Sequence, residues 1–132
     1  MTKINEKLNK ELLKMTNSET ITSFTKKSGS FNTPTGELTV EKNNDYFRIY
    51  GSVSATNVTS NGDVEFSTSL RPKTSITINN VIKVNMKSGV QTMGVSSITI
   101  NTSGVGTLRM TWASGTGETC RFIFVDTLFK IN

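Results

Sequence analysis

Past Gly36 the chain holds no strong helical stretch. Apolar and polar residues alternate instead over short runs, which Gly, Asn and Ser interrupt. A period of two places every second side chain on one face of a strand, so the pattern commits most of the chain to antiparallel β-structure. Before Gly36 the pattern is different. Ile4, Leu8, Leu12 and Met15 form one stripe at the spacing of an α-helix, with Thr2 placed to cap it. This predicts a helix over residues 1–15, a polar linker over 16–36 and a β-domain over 37–132. One short strand is expected inside the linker, at 21–24. A helix of this length is marginal alone and must bury its stripe. Packing against the β-domain or against other copies of the chain would both do so. The second is preferred, with Ile4, Leu8, Leu12 and Met15 as the seam of a coiled coil.

A chain of 132 residues is one domain with a tail. Hydrophobic residues make up 34%, while Ser, Thr and Asn together account for 49 positions. Thr suits strands and Asn suits turns, so the composition is that of a thin-cored β-domain and not of a disordered chain. The net charge of +5 divides into +3 over residues 1–36 and +2 over the rest. Basic residues cluster on no strand, which argues against a nucleic-acid partner. No apolar run suggests a leader or a membrane-inserted segment.

Seven or eight strands are expected, at 37–41, 46–53, 64–70, 75–78, 81–86, 95–101, 104–113 and 119–128. Turns are expected at Asn43-Asn44, Asn61-Gly62-Asp63, Asn79-Asn80, Lys87-Ser-Gly89, Asn101-Thr-Ser-Gly104 and Gly115-Thr-Gly117. Strands at this interval predict an all-β fold, an antiparallel β-sandwich or jelly-roll-like head. The last strand is apolar on both faces, with Phe122 and Phe124 on one and Ile123 and Val125 on the other. That pattern requires cover on both sides. It makes Phe122, Ile123, Phe124 and Val125 candidate oligomer-interface residues, unless the N-terminal segment of the same chain supplies the cover.

The chain has no histidine. This removes Ser-His and Cys-His nucleophile pairs and His-ligated metal sites together. Its carboxylates are scattered, and Asp63 and Glu65, two apart on one strand face, read as solvated rather than as a Ca²⁺ or Mg²⁺ site. Cys120 is the only cysteine and opens an apolar strand, so a buried, unreactive thiol is expected, with Arg121 on the opposite face. No cofactor is expected, and a binding protein is expected rather than an enzyme. Binding chemistry has more support. An aromatic ring can stack on the apolar face of a sugar while nearby polar groups fix its orientation. Trp112 is the first candidate on these grounds, although core or interface burial is the preferred account of it. Tyr46, Arg48 and Tyr50 share one face of a strand, and Arg71 and Arg109 complete the candidate carbohydrate-binding set. Arg109 should face away from Met110 and Trp112, so Arg109 and Trp112 would not serve one site.

Five elements in succession carry a family resemblance: Leu38-Thr-Val40, Phe47-Arg-Ile-Tyr-Gly-Ser-Val53, Phe66-Ser-Thr-Ser-Leu-Arg-Pro72, Ile98-Thr-Ile-Asn-Thr-Ser-Gly104 and Leu108-Arg-Met-Thr-Trp112. Over residues 37–128 the order resembles the head domains of receptor-binding and baseplate (tail-tip) proteins of tailed phages that infect Gram-positive bacteria. Leu70-Arg71-Pro72 is contiguous here, without the short insertion usual before Arg-Pro. The resemblance implies a homotrimer with jelly-roll-like heads, made in the host cytoplasm and carried at the virion tail. There it would meet other tail proteins and bind host cell-wall or envelope saccharide. It also implies sugar sites between protomers, built from aromatic, Arg and acidic side chains. The alternative is a purely structural baseplate or fibre-joining module without a receptor site.

Overall fold

The computed structural model describes residues 17–87, 90–111 and 118–131. The expected helix, its stripe Ile4, Leu8, Leu12 and Met15, Trp112 and the turn at 115–117 lie outside the described residues. Nine strands occur among the described residues: β1 (Asn17–Ile21), β2 (Thr25–Lys26), β3 (Thr35–Lys42), β4 (Tyr46–Val58), β5 (Gly62–Ser67), β6 (Ile76–Lys87), β7 (Val90–Ile100), β8 (Val105–Met110) and β9 (Glu118–Lys130). No helix is present among the described residues. The fold is all-β, and every pairing is antiparallel.

The strands form one sheet in the order β1-β3-β4-β9-β6-β7-β8-β5-β2, curled into a half-barrel. The curl follows from connectivity. β1 and β2 occupy opposite ends of the sheet, yet only residues 22–24 join them. Extended chain spans at most about 3.6 Å per residue, so the two edges stand within roughly 14 Å of each other. Interactions across the curl help to hold it. The Glu19 carboxylate on β1 accepts hydrogen bonds from the backbone N–H (2.9 Å) and the hydroxyl of Ser69, in the loop after β5. Across the interior, the Phe66 ring on β5 meets that of Phe124 on β9 edge to face, with centroids 6.1 Å apart.

The core lines the inner face. Leu38, Val40, Phe47, Ile49, Val53, Val64, Phe66, Leu108, Met110 and Phe122 are all buried there, at the alternating positions that the sequence pattern requires. Cys120 is buried among them. Burial pushes its thiol pKa up, the opposite of what a reactive cysteine needs.

Several expectations are corrected. Residues 17–36 are not a linker outside the head. They supply both edge strands of the sheet and bury Ile21, Phe24 and Phe31 in the core. Their strands are β1 and β2, flanking the 21–24 stretch where one strand was expected. Residues 27–32 are laced onto 56–63. Asp63 carbonyl accepts from the Lys27 N–H at 2.8 Å, Ser28 hydroxyl accepts from the Asp63 N–H at 3.0 Å, and Thr56 carbonyl accepts from the Asn32 N–H at 3.0 Å. Gly36 is accordingly no boundary. It lies within β3 opposite Val53, at φ 145°, where an added Cβ would sit 2.2 Å from the Ser52 carbonyl oxygen.

Asn79-Asn80 is a bulge and not a turn. β6 is continuous from Ile76 to Lys87, and its register against β7 shifts between Ile78 and Val81. The extra residue keeps Ile76, Ile78 and Val81 all facing inward. A second bulge lies in β9. Phe124 belongs to the core and Phe129 packs against it although they are five residues apart, because the register against β4 shifts between Ile49 and Gly51. The shift leaves Val125 and Asp126 both exposed between them.

The central position of β9, between β4 and β6, resolves its two-faced pattern. Phe122 is 1% exposed and Phe124 is equally enclosed, so both are core residues and offer no surface to a partner. Ile123 is half-buried and Val125 is exposed; no described residue covers Val125 fully.

Candidate functional site

The turn at Asn43 sets the first part of the site. The Asn43 side-chain carbonyl accepts from the backbone N–H groups of Asp45 (2.8 Å) and Tyr46 (2.7 Å), closing the β3–β4 hairpin. The register that follows places Glu41 opposite Arg48 and Thr39 opposite Tyr50. Tyr46, Arg48 and Tyr50 therefore share the outward face of β4 as expected, while Phe47 and Ile49 point into the core.

On that face the polar groups are brought together. Arg48 grips Asp126 of β9 in bidentate fashion, Nε to Oδ1 at 2.7 Å and the terminal nitrogen Nη2 to Oδ2 at 2.5 Å. Its guanidinium carbon lies 5.1 Å from the centroid of the Tyr50 ring. The Tyr50 hydroxyl donates to Glu41 Oε1 at 3.1 Å, and the same oxygen stands 3.9 Å from the Arg48 guanidinium. The hydrogen bond from Arg48 holds the Asp126 carboxyl below its ordinary pKa, and Asp126 holds the Arg48 guanidinium charged still more firmly. A carboxylate kept ionised in this way is a poor proton donor near neutral pH.

Tyr50 also walls an open groove of about 490 Å³, lined further by Glu37, Ser52, Arg121, Ile123 and Phe124. One aromatic ring thus stands between a fixed ion-pair cluster and a groove that carries a carboxylate, a guanidinium and a hydroxyl. The polar residues missed by sequence reasoning are Glu37, Glu41, Ser52, Arg121 and Asp126. Glu41 was accessible in principle: a hairpin turning at Asn43-Asn44 pairs it with Arg48. Asp126 was not, because it lies 78 residues from Arg48.

The other candidates lie elsewhere. Tyr46 is half-buried near the hairpin, opposite Lys130. Arg109 is exposed on β8 and pairs with Asp63 across the strand at 3.1 Å, bordering a cleft of about 190 Å³ where β8 parts from β7. Arg71 lies in the loop after β5, and its carbonyl accepts from the Lys42 ammonium at 2.8 Å. Asp63 and Glu65 are each ion-paired, to Arg109 and to Lys27. Among the described residues no group of three His, Cys, Asp or Glu side chains is placed to hold a metal ion. Comparison with known proteins returns no matching family model, no matching curated protein and no matching solved structure.

Proposed function

We propose that the chain is a non-enzymatic binding head of a phage or prophage tail tip, which holds host-surface saccharide on the outward face of β3, β4 and β9. One observation carries the reading: the Tyr50 ring is fixed by Arg48 and Glu41 at the wall of an open groove lined by Glu37, Ser52 and Arg121. A ring of that kind can stack on a pyranose face, and the carboxylate, guanidinium and hydroxyl can then take its hydroxyl groups. The groove is open and its lining is more apolar than polar, which suits weak binding at each site. In this reading the curled sheet is a jelly-roll-like head, and a homotrimer joined through Ile4, Leu8, Leu12 and Met15 multiplies weak contacts into firm adsorption at the virion. A titration of cell-wall polysaccharide fragments, followed by NMR, tests the proposal. Tyr50→Ala should weaken binding roughly tenfold, equivalent to about 1.4 kcal/mol. Binding indifferent to Tyr50→Ala and Arg121→Ala would overturn the assignment of this face.

A second reading, a purely structural baseplate or fibre-joining module, is favoured by a different observation. The outward face of β6 and β7 carries exposed Met86, Met93 and Val95, a surface suited to assembly. Normal virion assembly with β6–β7 face variants, alongside lost adsorption with Tyr50→Ala, would separate the first reading from the second.

A further inference from the structure

Among the described residues, β7 has one edge paired along its length and one edge left largely unpaired. Along β6 it pairs throughout, from Ile76–Ile100 to Lys87–Val90. Toward β8, the only register pair among the described residues is Ile100 with Gly106. Residues 90–95 therefore have no strand partner on this side among the described residues, and Ser96 and Ser97 face β8 only across the cleft lined by Thr107 and Arg109. Such an edge is a template for another strand, and proteins ordinarily guard it with a charge, a proline, a bulge or brevity. The sheet's two terminal edges follow that rule. β1 spans five residues and carries Glu19, and β2 spans two, ends on Lys26 and is followed by Lys27. Residues 90–97 read Val-Gln-Thr-Met-Gly-Val-Ser-Ser and hold no charge and no proline. Their register against β6 is also unbroken from Val90 to Ser96.

A second observation concerns the outward face of the same hairpin. Ile82, Val84 and Met86 on β6 pair with Val95, Met93 and Gln91 on β7, and Ile82 also pairs with Ile123 on β9. Val84 is 3% exposed although it stands outside the core cluster, so an apolar layer has already begun to form on this side. That layer is unfinished, because Met93 is 71% and Val95 73% exposed.

We propose that residues 90–97 join the same strand of a second copy of this chain, as an antiparallel, two-fold symmetric continuation of the sheet. The absence of charge selects this occupant. Self-pairing about a two-fold axis near Met93 and Gly94 opposes only uncharged residues, so no like charges meet. It also sets Gln91, Met93 and Val95 of one copy beside Val95, Met93 and Gln91 of the other, which prolongs the apolar face across the junction. Gly94 has open space where a side chain would stand, so nothing on the strand obstructs the approach. A three-fold axis cannot bring an edge against its own copy; the contact is isologous and requires a two-fold. It goes beyond the trimer proposed above and does not depend on saccharide binding.

Sedimentation of the full chain at micromolar concentration tests the contact, together with cross-linking. The expected particle holds two chains, or six where three-fold association operates as well. Met93→Lys, which sets like charges across the axis, should halve either number while leaving the monomer fold and saccharide binding unchanged. Under mild oxidation, at least one of Gln91→Cys, Met93→Cys and Val95→Cys should form a disulfide-linked pair, because directly paired strand residues lie within disulfide reach. Buried Cys120 does not compete. A native monomer or trimer overturns the proposal, whatever else the edge binds. So does a particle whose size Met93→Lys leaves unchanged, or failure of all three cysteine variants to cross-link.

Discussion

β4 and β7 are both long strands of one sheet, and they are finished to different degrees. β4 is paired on both sides, with β3 and with β9, and its outward residues Arg48 and Tyr50 are held by Asp126 and Glu41. β7 is paired on one side along most of its length, and its outward Met93 and Val95 are bare. Inward, the two obey the same alternation: Phe47, Ile49 and Val53 on β4 and Ile98 and Ile100 on β7 all enter the core. The core therefore accounts for the inward half of each strand and for nothing on the outward half. What stands outward reflects the neighbour each strand has: ions and water at β4, an unfilled apolar layer at β7.

The largest test of this contrast is a pair of truncations. Ile49→Ala removes packing at the centre of the core and should cost about 2–5 kcal/mol in denaturant unfolding. Met93→Ala, measured dilute, should stay within about 0.5 kcal/mol. Equal losses would mean that the β7 face is covered within the monomer. Next comes a pair of glycines. Gly51 on β4 has φ 130°, and a Cβ there would meet the Glu37 carbonyl oxygen at 2.1 Å, so Gly51→Ala should destabilise by more than about 1 kcal/mol. At Gly94 a Cβ meets open space, and Gly94→Ala should be neutral or stabilise by up to about 1 kcal/mol.

The smallest effect concerns pH. Asp126 is held below its ordinary pKa by Arg48. Its contribution to stability is complete above the unfolded carboxylate value of about 3.9 and is lost as pH falls through the lower folded value. Both partners are partly exposed, so the amount is on the order of 0.2–1 kcal/mol. Arg48→Ala should move the Asp126 titration, followed by carbon NMR, up toward the ordinary value. An unmoved titration would remove Arg48 as its cause.

Where apolar alternation was strong, the sequence was informative. β3, β4, β8 and the inward face of β9 are where their patterns predict them. The Asn101–Gly104 turn is also present, with the Asn101 side chain accepting from the Ser103 and Val105 N–H groups. β1 and β2 were harder to see because their sequences, Asn-Ser-Glu-Thr-Ile and Thr-Lys, are almost wholly polar. An edge strand needs few inward anchors, and its exposed positions are free to be hydrophilic. Asn79-Asn80 carries the chemistry of a turn, and only the pairing of β6 with β7 on either side of it makes it a bulge. At the candidate site the local half was legible. Tyr46, Arg48 and Tyr50 share a face by simple alternation, whereas Asp126 and Arg121 join them only through the long-range pairing of β4 with β9.

That pairing governs the order of assembly. The strand that joins β4 to β6 inside the sheet is the last of the nine described strands to leave the ribosome. Until β9 is made, β1-β3-β4 on one side and β6-β7-β8-β5-β2 on the other share no strand pairing, and the Phe66–Phe124 contact across the interior lacks one partner. Contacts so distant along the chain are slow to form. Folding of the whole sheet must therefore follow synthesis of β9, and until then the apolar hairpin of β6 and β7 waits with neither of its outer edges fully paired.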